Sequence, residues 1–158
     1  MSERFWLVKS EPEVFSIDDL SKVKSPGWEG VRNYLARNYM RDEMKSGALV
    51  LFYHSNAKPS GIAGLAKVEG EPAPDPTQFN RKSEYFDPAS KRDDPRWLMA
   101  QLSFVEKFKD LLTLDQLKGD EALSGMPLVQ KGQRLSVQPV EAAQFAHVLK
   151  LARAKTKV

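Results

Sequence analysis

Aromatic rings, side-chain amides and arginines are concentrated between Trp28 and Asn56. Aromatic rings can stack on a planar heterocycle, amides and hydroxyls can hydrogen-bond to its edge, and cations can hold a neighbouring phosphate. Residues of these types across the chain therefore indicate a nucleobase site. They are Trp28, Tyr53, Ser10, Asn33, Asn38, Ser55, Asn56, Gln138, Lys9, Arg32, Arg37, Arg41, Lys58 and Arg134. The alternative is that the rings fill the core and the basic residues are merely solvated.

Common catalytic motifs are absent from the sequence, which contains no G-x-S-x-G, no H-E-x-x-H and no glycine-rich phosphate loop. The lack of cysteine excludes disulfides and zinc-thiolate sites. We therefore expect a binding domain rather than an enzyme, with no metal and no cofactor. A nuclease or glycosylase, the enzymatic alternative, would use Glu11 or His54 as its general base. His147 is predicted to be a partly exposed residue of the last helix.

The composition is that of one ordinary domain of 158 residues. A balance of 24 basic against 21 acidic residues permits an anionic partner without requiring one. No segment approaches the roughly 18 apolar residues of a membrane span, and the N-terminus lacks the apolar region of a signal peptide. We expect a soluble, cytoplasmic monomer. A protein-interaction adaptor, the second alternative, would need an exposed apolar patch that the sequence does not clearly show.

Hydrophobic patterns predict five strands with helices between them. The strands are expected at 5–9, 48–53, 61–68, 97–108 and 135–138, the fourth of them long and bulged. Helices are expected to begin at Ser16 and to span 33–44, 113–119 and 141–152. Because no β-α-β alternation appears, we predict an α+β fold: a small mixed β-barrel of five or six strands with three or four surrounding helices.

Two segments around the candidate residues have distinct patterns. In the helix predicted at 33–44, one apolar arc contains Leu35, Ala36, Tyr39, Met40 and Met44, while the arginines lie on the other side. The segment 70–94 is rich in proline and too long for an ordinary connection, and it contains aromatic residues that need burial. We therefore predict an ordered excursion over the mouth of the barrel.

Six motifs resemble the EVE-domain family. They are F-W-L-V-K-S-E-P at 5–12, W-E-G-V-R-N-Y-L-A-R-N at 28–38, F-Y-H-S-N at 52–56, D-P-T-Q-F at 75–79, D-P-R-W at 94–97 and R-L-S-V-Q-P at 134–139. The resemblance implies a PUA-like β-barrel related to the YTH domains that read methylated adenine in RNA. It also implies a pocket for a modified base, such as methylated or oxidised cytosine, in DNA or RNA. A single EVE domain is expected at 1–150, followed by a basic, frayed tail at 151–158.

The same resemblance implies which residues contact the ligand. They are Lys9, Ser10, Glu11, Trp28, Arg32, Asn33, Arg37, Asn38, Tyr53, His54, Ser55, Asn56, Ser136, Gln138 and Pro139. Among these, Trp28 and Tyr53 are expected to line one pocket at the mouth of the barrel, where each ring would offer a stacking surface to the base.

Overall fold

The structure is a computed structural model that describes residues 5–23, 27–132 and 135–158, so Arg134 lies outside the described residues. The strands are β1 (Phe5–Ser10), β2 (Leu49–His54), β3 (Gly61–Val68), β4 (Ala73–Pro74), β5 (Leu98–Met99), β6 (Leu102–Thr113) and β7 (Val137–Val140). The α-helices are α1 (Ile17–Lys22), α2 (Tyr34–Asn38), α3 (Leu114–Lys118) and α4 (Ala142–Ala152). The predicted α+β class is therefore confirmed.

The main sheet has five strands in the order β6-β3-β2-β1-β7, and β4 pairs with β5 in a separate two-stranded sheet. Strands β1 and β2 are parallel, whereas the other three pairs of the main sheet are antiparallel. Within the described ranges this sheet is not closed into a barrel. In these ranges its edge strands β6 and β7 are not paired with each other.

The two faces of the sheet bury separate hydrophobic clusters, since successive side chains of a strand point to opposite sides. On the α4 face, Phe5 and Leu7 of β1 pack with Leu51 of β2 and with α4 residues such as Phe145. On the α1 face, Trp6 and Val8 pack with residues of β2, α1 and α2. The predicted strand at 48–53 is thus buried on both sides. A Cβ at Gly64 would collide with the Glu106 carbonyl oxygen, which explains the small residues of β3.

The prediction of a single strand at 97–108 is wrong, because the chain changes its pairing strand at Ala100 and Gln101. Before them β5 pairs with β4, and after them β6 pairs with β3. The Ala100 carbonyl accepts a hydrogen bond from the Trp28 N–H at 2.8 Å, and the Gln101 carbonyl accepts one from the Glu69 N–H. The predicted bulges are present in β6, which shifts register twice against β3. The last strand also begins later than predicted, at Val137.

The helix predicted at 33–44 is divided into α2 and a π-helical turn (Tyr39–Glu43), where Met44 N–H reaches back to the Tyr39 carbonyl. The wider π-helical turn changes the directions in which its side chains point, compared with a regular α-helix. Ala36, Met40 and Met44 are buried as predicted, but Leu35 is 51% exposed and does not belong to the apolar arc.

The C-terminal residues after α4 remain in contact with the domain. The Glu106 carboxylate accepts hydrogen bonds from the backbone N–H groups of Lys155 and Thr156 at 2.8 and 2.9 Å, and from the Thr156 hydroxyl at 2.7 Å. The tail at 151–158 is therefore attached to β6 as far as Thr156. The domain boundary at residue 150 stays a prediction.

His54 and Ser10 attach the segment before α1 to the sheet. The Ile17 backbone N–H donates to His54 Nε2 at 3.1 Å, and the Ser10 hydroxyl donates to the Phe15 carbonyl. Ser16 caps α1 as predicted, in a reciprocal capping box with Asp19. Partial burial lowers the pKa of His54 below its usual range, although nearby Asp18 opposes the effect. The neutral ring, with Nε2 unprotonated, is the form that this contact requires.

We predict that the free energy of unfolding decreases as the pH falls below 6.5, the usual pKa of histidine. Protonation at Nε2 would remove the acceptor for the Ile17 N–H, so the unfolded chain takes up this proton more readily than the folded one. The stability that neutral His54 provides is complete above pH 6.5 and is lost as the pH falls through the lowered pKa of the folded state. Urea unfolding between about pH 8 and about pH 5 measures the decrease.

The His54→Gln variant should lose this part of the pH dependence, because glutamine does not titrate. His147→Gln is the matched control and should retain it, since His147 contacts Asp120 on the surface at 2.7 Å. An unchanged pH profile in His54→Gln would contradict the assignment.

Candidate functional site

The carboxyl ends of the parallel strands β1 and β2 meet at one edge of the sheet, where Ser10 lies in register with His54. We define the strand-end site as Ser10, Glu11, Trp28, His54 and Asn56. The side chains of Ser10 and His54 hold the segment before α1, and the Trp28 loop packs on the same face of the sheet. These five predicted contact residues are therefore brought together.

Trp28 forms an aromatic wall beneath this site. Its ring meets Phe52 edge-on at 5.6 Å and Phe15 edge-on at 6.5 Å, and its exposed fraction is 8%. Edge-to-face packing is a favourable aromatic geometry, and it fixes the ring in place. Trp28 is therefore largely a core residue. Phe15, which the sequence did not single out, is its second aromatic neighbour.

Glu11 and Asn56 form the exposed rim of the site. The Asn56 amide donates to the Glu11 carboxylate at 2.5 Å. Asn56 has a left-handed backbone (φ 50°), a conformation that asparagine tolerates better than most residues. Between the two strands, the Ser55 N–H donates to the Ser10 carbonyl at 2.9 Å, so Ser55 contributes a backbone contact to the edge. A carboxylate and an amide are thus next to each other at the exposed end of the two strands.

Tyr53 does not share a pocket with Trp28, contrary to the prediction. The side chains alternate along β2, so Tyr53 belongs to the cluster on the α4 face, whereas Trp28 packs on the α1 face. Its ring is 4% exposed, and burial raises the pKa of its phenol, an effect that a hydrogen bond with Ser60 partly offsets. Lys9 lies on the same side, with Nζ 6.0 Å from the Tyr53 ring, and burial lowers its pKa.

Two of the predicted contacts from 136–139, Ser136 and Gln138, lie on the other face of the sheet from Trp28. The Ser136 carbonyl accepts from the Lys9 N–H at 2.9 Å, and buried Gln138 donates to the Leu135 carbonyl at 2.9 Å. Pro139 lines a groove of about 320 Å³ with Phe5 and other residues of the α4 side. Ser136 and Gln138 oppose Lys9 and Leu7, so they face the α4 side of the sheet.

Arg32 holds the long excursion at 70–94 against the Trp28 loop. It donates to the buried Asp75 carboxylate at 3.2 Å and to the Tyr85 carbonyl, and Asp75 also accepts from the Gly30 N–H at 2.7 Å. The excursion is ordered, as predicted. The sequence did not single out Asp75 or Tyr85, although Asp75 begins one of the quoted motifs and its position before Pro76 is typical of a helix cap.

The remaining predicted residues belong to α2. Asn33 caps this helix by accepting from the Ala36 N–H at 3.0 Å. Arg37 donates to the Asn38 side chain and to the Arg96 carbonyl at 2.9 Å. These contacts join α2 to the segment that precedes β5, beside the strand-end site rather than within it. Arg41, in the π-helical turn, pairs with its neighbour Asp42, which offsets the like charge that it shares with Arg37.

No group of three or more histidine or acidic side chains is arranged to hold a metal ion in 5–23, 27–132 and 135–158. In the same ranges no helix is both long and apolar enough to cross a bilayer.

Comparison with known proteins relates this geometry to a family. Residues 4–151 match the model of the EVE domain. Human thymocyte nuclear protein 1 is 43% identical, over 92% of this chain and 72% of that protein. A solved structure of a hypothetical protein from Leishmania major is 46% identical, covers 96% of each chain and has a TM-score of 0.90. A structure of human THYN1 in complex with 5-methylcytosine-containing DNA is 41% identical, covers 98% of this chain and all of that one, and has a TM-score of 0.85.

These relatives confirm that the fold is PUA-like, even though the described sheet remains open. The family model spans nearly the whole chain, and the six motifs quoted from the sequence resemble the same family. The chain therefore belongs to the EVE-domain family.

Proposed function

We propose that this protein binds nucleic acid that carries a modified base, with methylated cytosine in DNA as the best candidate, and that it does so without catalysis. One observation carries the proposal: a relative of the same fold, 41% identical over almost the whole chain, is described in complex with 5-methylcytosine-containing DNA. The strand-end site supports it with suitable chemistry. Cytoplasmic location and a monomeric state stay predictions from the sequence.

The residues of the strand-end site suit a cytosine that has been turned out of its stack. The Glu11 carboxylate can accept a hydrogen bond from the exocyclic amino group, which is the usual pairing of an acidic side chain with cytosine. The Asn56 amide can both donate and accept at the same edge of the base. The Phe15 ring, partly exposed and held edge-on by Trp28, can supply the apolar surface that a methyl group at C5 prefers.

Catalysis by this site is disfavoured by what its side chains already do. His54 Nε2 accepts from the Ile17 N–H, and the Ser10 hydroxyl donates to the Phe15 carbonyl, so neither is directed at a ligand. Glu11 is left as a candidate base, and its described partner is an amide rather than a nucleophile. A nuclease or glycosylase would need a further activating group.

We predict that Glu11→Ala weakens binding to a DNA strand that contains one 5-methylcytosine by about 5- to 150-fold, which corresponds to about 1–3 kcal/mol for one good base contact. Fluorescence anisotropy with strands that carry cytosine, 5-methylcytosine or thymine measures the effect. Thymine has no exocyclic amino group, so its affinity should not depend on Glu11.

Glu13→Ala is the matched control, because Glu13 is exposed on the same turn and its removal changes the net charge equally. This control should bind within about twofold of the wild type. Equal losses of DNA affinity in the Glu11→Ala and Glu13→Ala variants would contradict a contact between Glu11 and the base. Cleavage or base release that disappears in Glu11→Gln, with or without magnesium, would favour the enzymatic alternative.

We also predict a shallow dependence of affinity on salt, because the small excess of basic over acidic residues favours few neutralised phosphates. Arg32 and Arg41 are already paired with Asp75 and Asp42, and the net charge is only +3. The slope of log K against log salt should be no steeper than about −3, the value for about three neutralised phosphates. Titrations from about 50 to about 300 mM salt measure it, and a much steeper slope would indicate non-specific binding to a wide basic surface.

A further inference from the structure

We propose that the outer face of the Tyr34 ring stacks on the nucleobase next to the recognised one, so that the protein holds two adjacent bases of a strand. This inference rests on the proposed function, because it assigns a second contact to the same nucleic acid. It gives α2 and the excursion at 70–94 a role that the strand-end site does not require.

Tyr34 is the first residue of α2, and it is 52% exposed although its ring is stacked on Trp97. The ring centroids are 4.9 Å apart and the planes differ by 23°. Leu35, also half-exposed, follows it directly. A half-exposed tyrosine held flat against another ring is a rigid surface that loses little side-chain entropy when a ligand stacks on it.

One face of the Tyr34 ring is not covered by Trp97 or by Arg37. The Arg37 guanidinium lies 4.9 Å from the Tyr34 ring and 6.0 Å from the Trp97 ring. If Trp97 and Arg37 lay on opposite faces of Tyr34, their separation would approach the sum of their two distances to it. The observed 6.0 Å therefore puts Arg37 beside the ring rather than over its outer face. A base can stack on that face with a cation at its edge.

Trp97 is held in place by buried hydrogen bonds, which makes it a firm support for Tyr34. Its indole N–H donates to Asp87 at 2.7 Å. Buried Gln78 accepts from the Trp97 N–H at 3.0 Å and donates to the Trp97 carbonyl at 2.8 Å. The fixed position of this tryptophan, which follows the excursion in the chain, therefore determines the orientation of the exposed ring.

The Tyr34 surface is linked to the Trp28 loop of the strand-end site. Arg32 packs over the Trp97 ring at 5.1 Å and over the Tyr85 ring at 5.6 Å. The Tyr85 ring packs so closely on Gly30 of the Trp28 loop that a Cβ there would lie 2.8 Å from it. A band of rings and guanidinium groups thus runs from the Trp28 loop to Tyr34.

This combination favours a nucleic-acid strand as the occupant over an apolar protein segment. The Arg37 guanidinium lies at the edge of the exposed ring, which suits a base with its phosphate better than a purely apolar segment. A base recognised at the strand-end site has lost its own stacking partners, and its neighbour in the strand gains by stacking on a ring close by.

A double-mutant cycle tests the stacking contact. One partner is Tyr34→Ala, and the other is a single-stranded DNA in which the base on the 5′ or the 3′ side of 5-methylcytosine is replaced by an abasic site. We expect Tyr34→Ala to weaken binding of the intact strand by about 5- to 150-fold. The abasic site on one of the two sides should weaken wild-type binding similarly and should leave the affinity of Tyr34→Ala unchanged, because one lost contact cannot be lost twice.

Tyr34→Phe should retain the affinity of the wild type, since the ring remains. Leu151→Ala is the control for removal of an exposed apolar side chain, on α4. The inference would be overturned if Tyr34→Ala bound the intact strand with wild-type affinity, or if the losses from the variant and from the abasic site simply added. It would also be overturned if Tyr34→Ala affected only the binding of a protein partner. A wild-type protein that does not prefer the methylated strand overturns the proposed function alone, because the cycle can be measured on either strand. Melting temperatures confirm that each variant is folded.

Discussion

Strands β1 and β2 run parallel at the centre of the sheet, so their carboxyl ends open at the same edge. An antiparallel pair would place Ser10 and His54 at opposite edges. With the parallel pairing, these two side chains lie in register and together hold the segment before α1. The exposed rim of Glu11 and Asn56 follows directly after the two strands, and its existence depends on that one pairing.

The buried polar side chains of the excursion provide the second support. Asp75 and Gln78 are almost fully buried, and their hydrogen bonds connect the excursion to the Trp28 loop and to Trp97. Buried polar groups are costly unless they are satisfied, so such contacts favour one arrangement over its alternatives. They position both the wall at Trp28 and the exposed ring at Tyr34.

The sequence predicted most of the secondary structure because apolar runs end at clear turn residues. The strand at 61–68 has the predicted bounds, and the caps at Ser16 and Thr113 are as expected. It could not predict on which face of the sheet a loop residue packs. Trp28 and Tyr53 were therefore expected to line one pocket, whereas the structure assigns them to opposite faces of the sheet. Similarly, the composition could not distinguish an arginine that binds Asp75 from one available to a phosphate.

Most contacts that build the site join residues far apart in the sequence. Ile17 contacts His54, Gly30 contacts Asp75, and Arg37 contacts Arg96, with separations of 37, 45 and 59 residues. Contacts of this range form only after long loops have closed, and they slow folding. During synthesis, the strand-end site cannot be complete before Ala100, whose carbonyl accepts from the Trp28 N–H, has left the ribosome. A truncated or partly folded chain should therefore not bind nucleic acid. Binding consequently indicates that the chain has folded completely.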